Sequence, residues 1–163
     1  ARRDLELSAE ALQVSHRVSF AGSMPLSDLP SAMNALDVLV LPSHTTPRWK
    51  EQFGRVLIEA GACGVPSIGS DSGAIPAVIA DGGLIFPEGD ATALAQCIEV
   101  MMNDPERRAE FGRVAHQRAQ QYFGWNNVAA SMRDVYLRVL AGDIKPGEVA
   151  HHYNAKDSLA SRA

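Results

Sequence analysis

The chain is short of the features that mark several large classes of protein. It has two cysteines, Cys63 and Cys97, with no CxxC pair and no histidine near either. That argues against a disulfide framework or a zinc site, and reads instead as reduced thiols of a cytoplasmic protein. There is no basic excess: the formal net charge is −4, against the usual balance of a nucleic-acid binder. No apolar run approaches the ~18–20 residues of a membrane helix. The opening ARRDLELSAE is charged and has no apolar centre, so it does not read as a secretory signal. No G-x-G-x-x-G follows an expected strand, and the run Gly69-Ser-Asp-Ser-Gly73 has the wrong spacing for a dehydrogenase-type dinucleotide loop. No G-x-S-x-G is present, which argues against a serine hydrolase. Nor is there an internal repeat.

What is present suits one soluble globular domain: 163 residues, 46% hydrophobic and 21% charged. Residues 2–14 carry Leu5, Ala9 and Leu12 at helical spacing. Residues 17–22 alternate and end on Gly22, which predicts a strand. Residues 29–36 read as a short helix. Residues 37–42 are an apolar run closed by Pro42, as in a strand buried on both faces of a parallel sheet. A loop over 43–50 precedes a helix over 54–63. A strand over 66–70, a short helix over 75–80 and a strand over 83–86 follow. Asp90 is placed to cap a helix over 91–102, with Leu94, Ala95, Ile98, Met101 and Met102 inward. Asn103-Asp-Pro-Glu106 is a stop and restart. Helices over 107–123 and 125–140 come next, the first with Phe111, Val114, Ala115, Ala119 and Tyr122 inward, the second with Val128, Ala129, Met132, Val135, Tyr136 and Val139 inward. From Gly142 the chain is polar and aperiodic, and residues 142–163 read as a disordered tail. His151 and His152 within it are an isolated pair and are not taken as metal ligands. Strands alternating with helices predict an α/β protein with a Rossmann-like parallel sheet flanked by helices, followed by C-terminal helices. In such sheets ligands bind beyond the carboxyl ends of the strands. The loops over 43–53 and 70–75 both follow strands and are expected side by side there.

One stretch, KEQFGRVLIEAGACGVP over residues 50–66, carries two acids in an otherwise apolar segment, Glu51 and Glu59. A helix starting near Gly54 leaves the amides of its first turn without intrahelical partners, at the positive end of its dipole. That suits a phosphate, and Gly54 lets a ligand approach the backbone closely. Glu59 stands roughly 7–8 Å further along the axis, at about 1.5 Å per residue. A diphosphate at the tip would leave an attached ribose near that height, and a carboxylate accepts from two adjacent hydroxyls. Glu51 lies before the helix, where it can hold hydroxyls of the group on the distal phosphate. A nucleotide sugar has hydroxyls at both ends and a diphosphate between. Read on folding grounds alone, Glu51 is a helix-start acid and Glu59 an exposed helical residue, since acids at helix starts are common. Against that, Glu59 sits among Val56, Leu57, Ile58, Ala60 and Ala62, in a helix with almost no polar face.

Taken together, Leu41-Pro-Ser43, then Glu-x-Phe-Gly-x-x-x-x-Glu-Ala-x-Ala-Cys-Gly-x-Pro over 51–66, Ser-Asp-x-Gly-x-Ile-Pro over 70–76, and Asp-Gly-Gly-Leu-x-x-Pro-x-Gly-Asp over 81–90 closely resemble the glycosyltransferase family 4 proteins of the GT-B fold. The resemblance runs from about Val18 to Leu140. It implies the C-terminal, donor-binding domain of a two-domain transferase, over residues 1–141. By resemblance Glu59 would bind the ribose hydroxyls. Glu51 would be the catalytic-site acid on the transferred sugar, with Phe53 and Gly54 lining its pocket. Backbone amides near Arg55 and Val56 would face the diphosphate, and Ser43 with the Gly73-Ala74-Ile75 turn would form the donor loop. The activity implied is a retaining, hexosyl-type transfer from a nucleotide-diphosphate sugar in carbohydrate biosynthesis, with no metal and no cofactor, since the helix dipole and basic side chains stabilise the leaving diphosphate. The implied partners are that donor and a glycan, lipid or small-molecule acceptor, with no nucleic acid. The implied location is the cytoplasm, any contact with the inner membrane surface being made through the acceptor domain.

Two small departures, Ala77 where many members have Glu and Gly61 where a larger apolar residue is usual, remove no principal ligand. A larger one is that the family's opening strands, with their diphosphate-clamping Arg and Lys, and its acceptor domain have no counterpart here. With Ala1 in place of Met, this leads us to expect an incomplete chain, with little transferase activity alone and a gap in the sheet beside residues 38–41. Arg48 and Lys50 could replace the missing charge, though a solvated loop suits them better, and His44 is read as incidental. The competing reading is a non-catalytic subunit of a split transferase or a vestigial donor-binding module. The gap leads us to expect poor stability of the chain alone; robust sugar transfer by this chain alone would defeat the expectation of little activity, and a sharp cooperative melt as a monomer would count against the expected instability.

Overall fold

The computed structural model describes residues 2–144. Three short strands form one parallel sheet in the order β1-β2-β3: β1 is Leu39–Leu41, β2 is Ser67–Ser70 and β3 is Gly83–Phe86. Seven helices surround them: α1 Arg2–Ala11, α2 Leu29–Asn34, α3 Arg55–Ala62, α4 Ile75–Ile79, α5 Ala91–Asn103, α6 Pro105–Tyr122 and α7 Trp125–Ala141. The α/β Rossmann-like architecture expected from the alternation is the one observed.

The register explains how the two faces of the sheet are divided. Val40, Ile68 and Leu84 stand in one row across the three strands. They pack with Phe86 against Met101, Leu94, Cys97 and Ile98 of α5 and Phe111 of α6. Successive residues of a strand face opposite ways, so Leu39 and Leu41 point to the other side. There they meet Leu57 of α3 with Ile75 and Ile79 of α4. Gly69 lies on that same side, where a Cβ would run into Ile75 and Ile79. That glycine lets α4 lie directly on the central strand. A second contact of this kind joins α3 to α6: a Cβ at Gly61 would come within 3.0 Å of the Ala115 carbonyl oxygen. The small residue at 61 thus has a packing reason within this chain.

Caps stand where the sequence places them. The Asp90 carboxylate accepts from the Ala93 amide at the start of α5, and Asp104 accepts from the Arg107 amide at the start of α6. Asp104 also ends α5, its own amide donating to the Val100 carbonyl. One aspartate therefore makes both the stop and the restart.

Two expectations are corrected. Residues 17–22 form no strand: a 3-10 turn over Ser15–Arg17 leads into extended backbone at Val18, φ −111° and ψ 126°, which pairs with no strand among the described residues. Alternation supplies extended conformation, but a strand also needs a neighbour's amides and carbonyls. For the same reason β1 is not buried on both faces. It is the edge of the described sheet, and Leu39, Val40 and Leu41 are each half-buried. The inward stripes are likewise incomplete at the periphery. In α1 Ala9 is buried while Leu5, and Leu12 just past its end, are exposed, and in α7 Val128, Val135 and Val139 are half-buried while Met132 and Tyr136 face outward. The expected disordered tail, with His151 and His152, lies beyond residue 144 and so outside the described residues, apart from its first three.

Replacing Asp104 by Ala removes the side-chain cap on α6. We expect it to lower the unfolding free energy by about 1 kcal/mol, measured by urea denaturation, with Asp104→Asn close to wild type.

Candidate functional site

All three strands are parallel, so the segments leaving their carboxyl ends lie together: residues 42–54 after β1, 71–74 after β2 and 87–90 after β3. Named bonds join them. The Ser70 hydroxyl donates to the Ser43 carbonyl at 2.6 Å, and Thr45 and Ser72 share a hydroxyl–hydroxyl bond at 2.8 Å. The Ala74 amide donates to the Glu51 carbonyl at 3.1 Å. The two loops expected side by side are in contact.

Glu51 is at the centre of this contact. Its Oε1 accepts from the Gly54 amide at 3.0 Å and the Phe53 amide at 3.4 Å, and its Oε2 accepts from the Ser43 hydroxyl at 3.2 Å. The carboxylate therefore stands at the N-terminal tip of α3, where the dipole favours negative charge. Gly54 precedes α3 with φ 73° and ψ 53°, the left-handed region. Only glycine takes that conformation without strain, and a Cβ would also crowd Leu57 and Leu41, at 2.9 and 3.3 Å. Gly54 is thus required first by backbone conformation and core packing, with close ligand approach as a further use.

At the tip, the Gly54 amide is taken by Glu51 and the Leu57 amide by the Gly54 carbonyl. The Arg55 and Val56 amides between them have no acceptor among the described residues. Glu59, one turn further on, pairs with Arg55: Nε to Oε1 is 3.0 Å, with side-chain exposures of 81% for Arg55 and 27% for Glu59. The Val56 side chain packs into the core under α2, so its contribution at the surface is its amide. Phe53 is 47% exposed and meets the Phe123 ring edge-on, centroids 5.9 Å apart.

In the second loop, Gly73 has φ 57°, and a Cβ there would strike the Glu51 carbonyl. Ile75 is fully buried in the core against α3. The turn over 73–75 therefore offers backbone, not side chains, to anything bound above it. The structure brings Ser43, Glu51, Phe53, Gly54, Gly73 and Ala74 together directly, with Arg55 and Val56 at the adjoining helix tip and Glu59 tied to them through Arg55.

Two participants have no mark in the sequence. Thr45 donates to Glu88 twice, through its amide at 2.6 Å and its hydroxyl at 2.5 Å. His44 Nδ1 lies 3.6 Å from the same carboxylate. The hydroxyl bond from Thr45 first, then the amide bond, with help from Ser72 and His44, holds the Glu88 carboxyl below the usual carboxylate range. Glu88 falls at an unspecified position of its motif, and only its place just past β3 could have drawn attention to it. Among the described residues no three His, Cys, Asp or Glu are grouped to hold a metal ion. No helix among them is long and apolar enough to cross a membrane.

Residues 1–118 match the family model described as glycosyl transferases group 1. The chain belongs to that family. A D-inositol 3-phosphate glycosyltransferase from Corynebacterium glutamicum is 32% identical over 145 residues, spanning 88% of this chain and 33% of the relative. Among solved structures, sucrose-phosphate synthase from Thermosynechococcus elongatus is similar with a TM-score of 0.75 and 33% identity, over 86% of this chain and 35% of that one. Anabaena Alr3699/HepE in complex with UDP-glucose is similar with a TM-score of 0.71 and 26% identity, over 82% of this chain and 36% of that one. The fold is that of the C-terminal domain of GT-B glycosyltransferases, and the chain spans about a third of the length of the curated relatives it matches.

Gly73→Ala tests the junction of the two loops. Forcing a Cβ against the Glu51 carbonyl at positive φ should cost about 1–3 kcal/mol of stability. It should also speed amide exchange of Ala74, while leaving α5 and α6 protected.

Proposed function

We propose that this chain is the nucleotide-sugar-binding domain of a family 4 glycosyltransferase of hexosyl type, which transfers a sugar with retention of anomeric configuration and without a metal ion. The observation that carries the reading is the pair of unpartnered amides, Arg55 and Val56, at the tip of α3 between Glu51 and Glu59. Amides at a helix start bind phosphate well because their hydrogens and the dipole act together. The solved relative bound to UDP-glucose supports a donor of this class.

In this reading the diphosphate sits on those two amides. Developing negative charge on the leaving group meets fixed donors that need no reorganisation, which lowers the barrier in the manner of an oxyanion hole. The Arg55–Glu59 pair is surface-exposed on the Arg side, and such pairs contribute roughly 0–1 kcal/mol. The ribose hydroxyls can therefore replace Arg55 on the Glu59 carboxylate, and the freed guanidinium can turn to the phosphates. Glu51 keeps Oε1 on the Phe53 and Gly54 amides and offers its remaining lone pairs to hydroxyls of the transferred sugar. Phe53 supplies an apolar wall beside them, and the Gly73–Ile75 backbone closes the donor side.

The test is titration of UDP-glucose into the chain by calorimetry. Glu59→Gln should weaken binding by roughly 1.5–3 kcal/mol, as for loss of a hydrogen bond to a charged group, while leaving the melting temperature unchanged. Equal affinity in that variant would contradict the ribose role, and absence of binding by the wild type would overturn the donor-site reading.

A further inference from the structure

The segment over 42–54 carries Ser43, Glu51 and Phe53, yet most of it is exposed and it has few attachments. At its start the Ser43 carbonyl accepts from the Ser70 hydroxyl, and at its end Glu51 is held by the Ala74 amide and by its own turn. Between these the bonds stay within the loop: Thr46 and Trp49 bond to each other, amide to carbonyl in both directions at 2.8 and 3.2 Å, and the Thr46 hydroxyl accepts from the Arg48 amide at 3.4 Å. The hydrogen bonds from this middle part to the rest of the fold are made by Thr45, whose amide and hydroxyl both donate to Glu88 and whose hydroxyl also meets Ser72, with His44 Nδ1 lying 3.6 Å from the same Glu88 carboxylate.

Glu88 itself is on a firm base. Its amide donates to the Asp71 carboxylate at 2.7 Å, and the Asp71 amide donates to the Phe86 carbonyl at the end of β3 at 2.9 Å. The turn continues through Gly89 at φ 77° and closes with the Asp90 amide on the Pro87 carbonyl. Glu88 thus projects from a turn tied to two strand ends, and Ser72 beneath Thr45 is fully buried. Bonds to an ionised acceptor are the stronger kind of hydrogen bond. Here two of them converge on one residue of an otherwise loosely attached loop.

We propose that Glu88 is a positioning residue: by accepting both donors of Thr45 it holds the loop over 43–53 at the height from which Glu51 and Phe53 reach the donor sugar. This rests on the donor-site reading above. It gives the turn after β3 a part in binding although no residue of that turn needs to touch the ligand.

The experiment follows the chain and its variants Glu88→Ala, Thr45→Val and Thr45→Ser by amide exchange, UDP-glucose titration and thermal melting. Glu88→Ala and Thr45→Val should speed exchange over 44–50 and weaken UDP-glucose binding, each by about three- to tenfold; the melting temperature should be unchanged in Glu88→Ala and lowered in Thr45→Val, which also leaves the buried Ser72 hydroxyl without its Thr45 partner. Thr45→Ser, which keeps both donors, should match wild type. Unchanged exchange in Glu88→Ala would overturn the loop-holding role. Faster exchange with undiminished UDP-glucose affinity would overturn its bearing on the donor. If the wild type binds no UDP-glucose, the donor-site reading fails by itself, while the exchange data still decide whether Glu88 holds the loop.

Discussion

The Glu51 carboxylate turned back onto the amides of Phe53 and Gly54 is the interaction around which the rest of the site is arranged. It fixes the left-handed turn at Gly54, and that turn sets where α3 begins and which amides its tip leaves free. The same residue's carbonyl receives the Ala74 amide, so the loop after β2 is docked by the backbone that docks the helix. One acid therefore ties helix start, first loop and second loop into a unit. An anion at that position also complements the helix dipole, so the folding role and the proposed binding role draw on one electrostatic feature.

Hydroxyls perform the rest of the connection. Ser67, Ser70 and Ser72 are all buried along or just beyond the central strand. A buried hydroxyl without a partner is costly, and here Ser70 and Ser72 find partners in the loop after β1, at Ser43 and Thr45. The consequence is that the loop bearing the site is held from below by the middle of the sheet and from the side by the turn after β3. Such a site can be well placed even though the loop is largely exposed and the described sheet is three strands wide.

Much of the fold was legible because its signals are local. Asp90 precedes a helix and caps it, Asn103-Asp-Pro-Glu106 is a stop and restart between helices, and the segments read as strands over 37–42, 66–70 and 83–86 contain the strands at 39–41, 67–70 and 83–86. Residues 17–22 failed for a corresponding reason. Their alternation describes a chain that can extend, and nothing in it says whether another strand lies alongside. Glu51 and Glu59 stood out as acids in an apolar stretch. Glu88 and Thr45 did not, because neither is unusual among its neighbours.

Most of the order of elements, their caps and the two suspicious acids were determined by residues within a few positions of one another, where propensity, periodicity and capping act. The tertiary structure decided what those signals cannot reach. Strand order and register brought Thr45 to Glu88 across 43 residues and Ser43 to Ser70 across 27. Among the described residues they left β1 as an edge and Val18 outside the sheet, and they set the Glu51 carbonyl where only a glycine at 73 can pass. Partnership between distant side chains depends on how the parallel strands align, and that alignment is a property of the packed sheet as a whole.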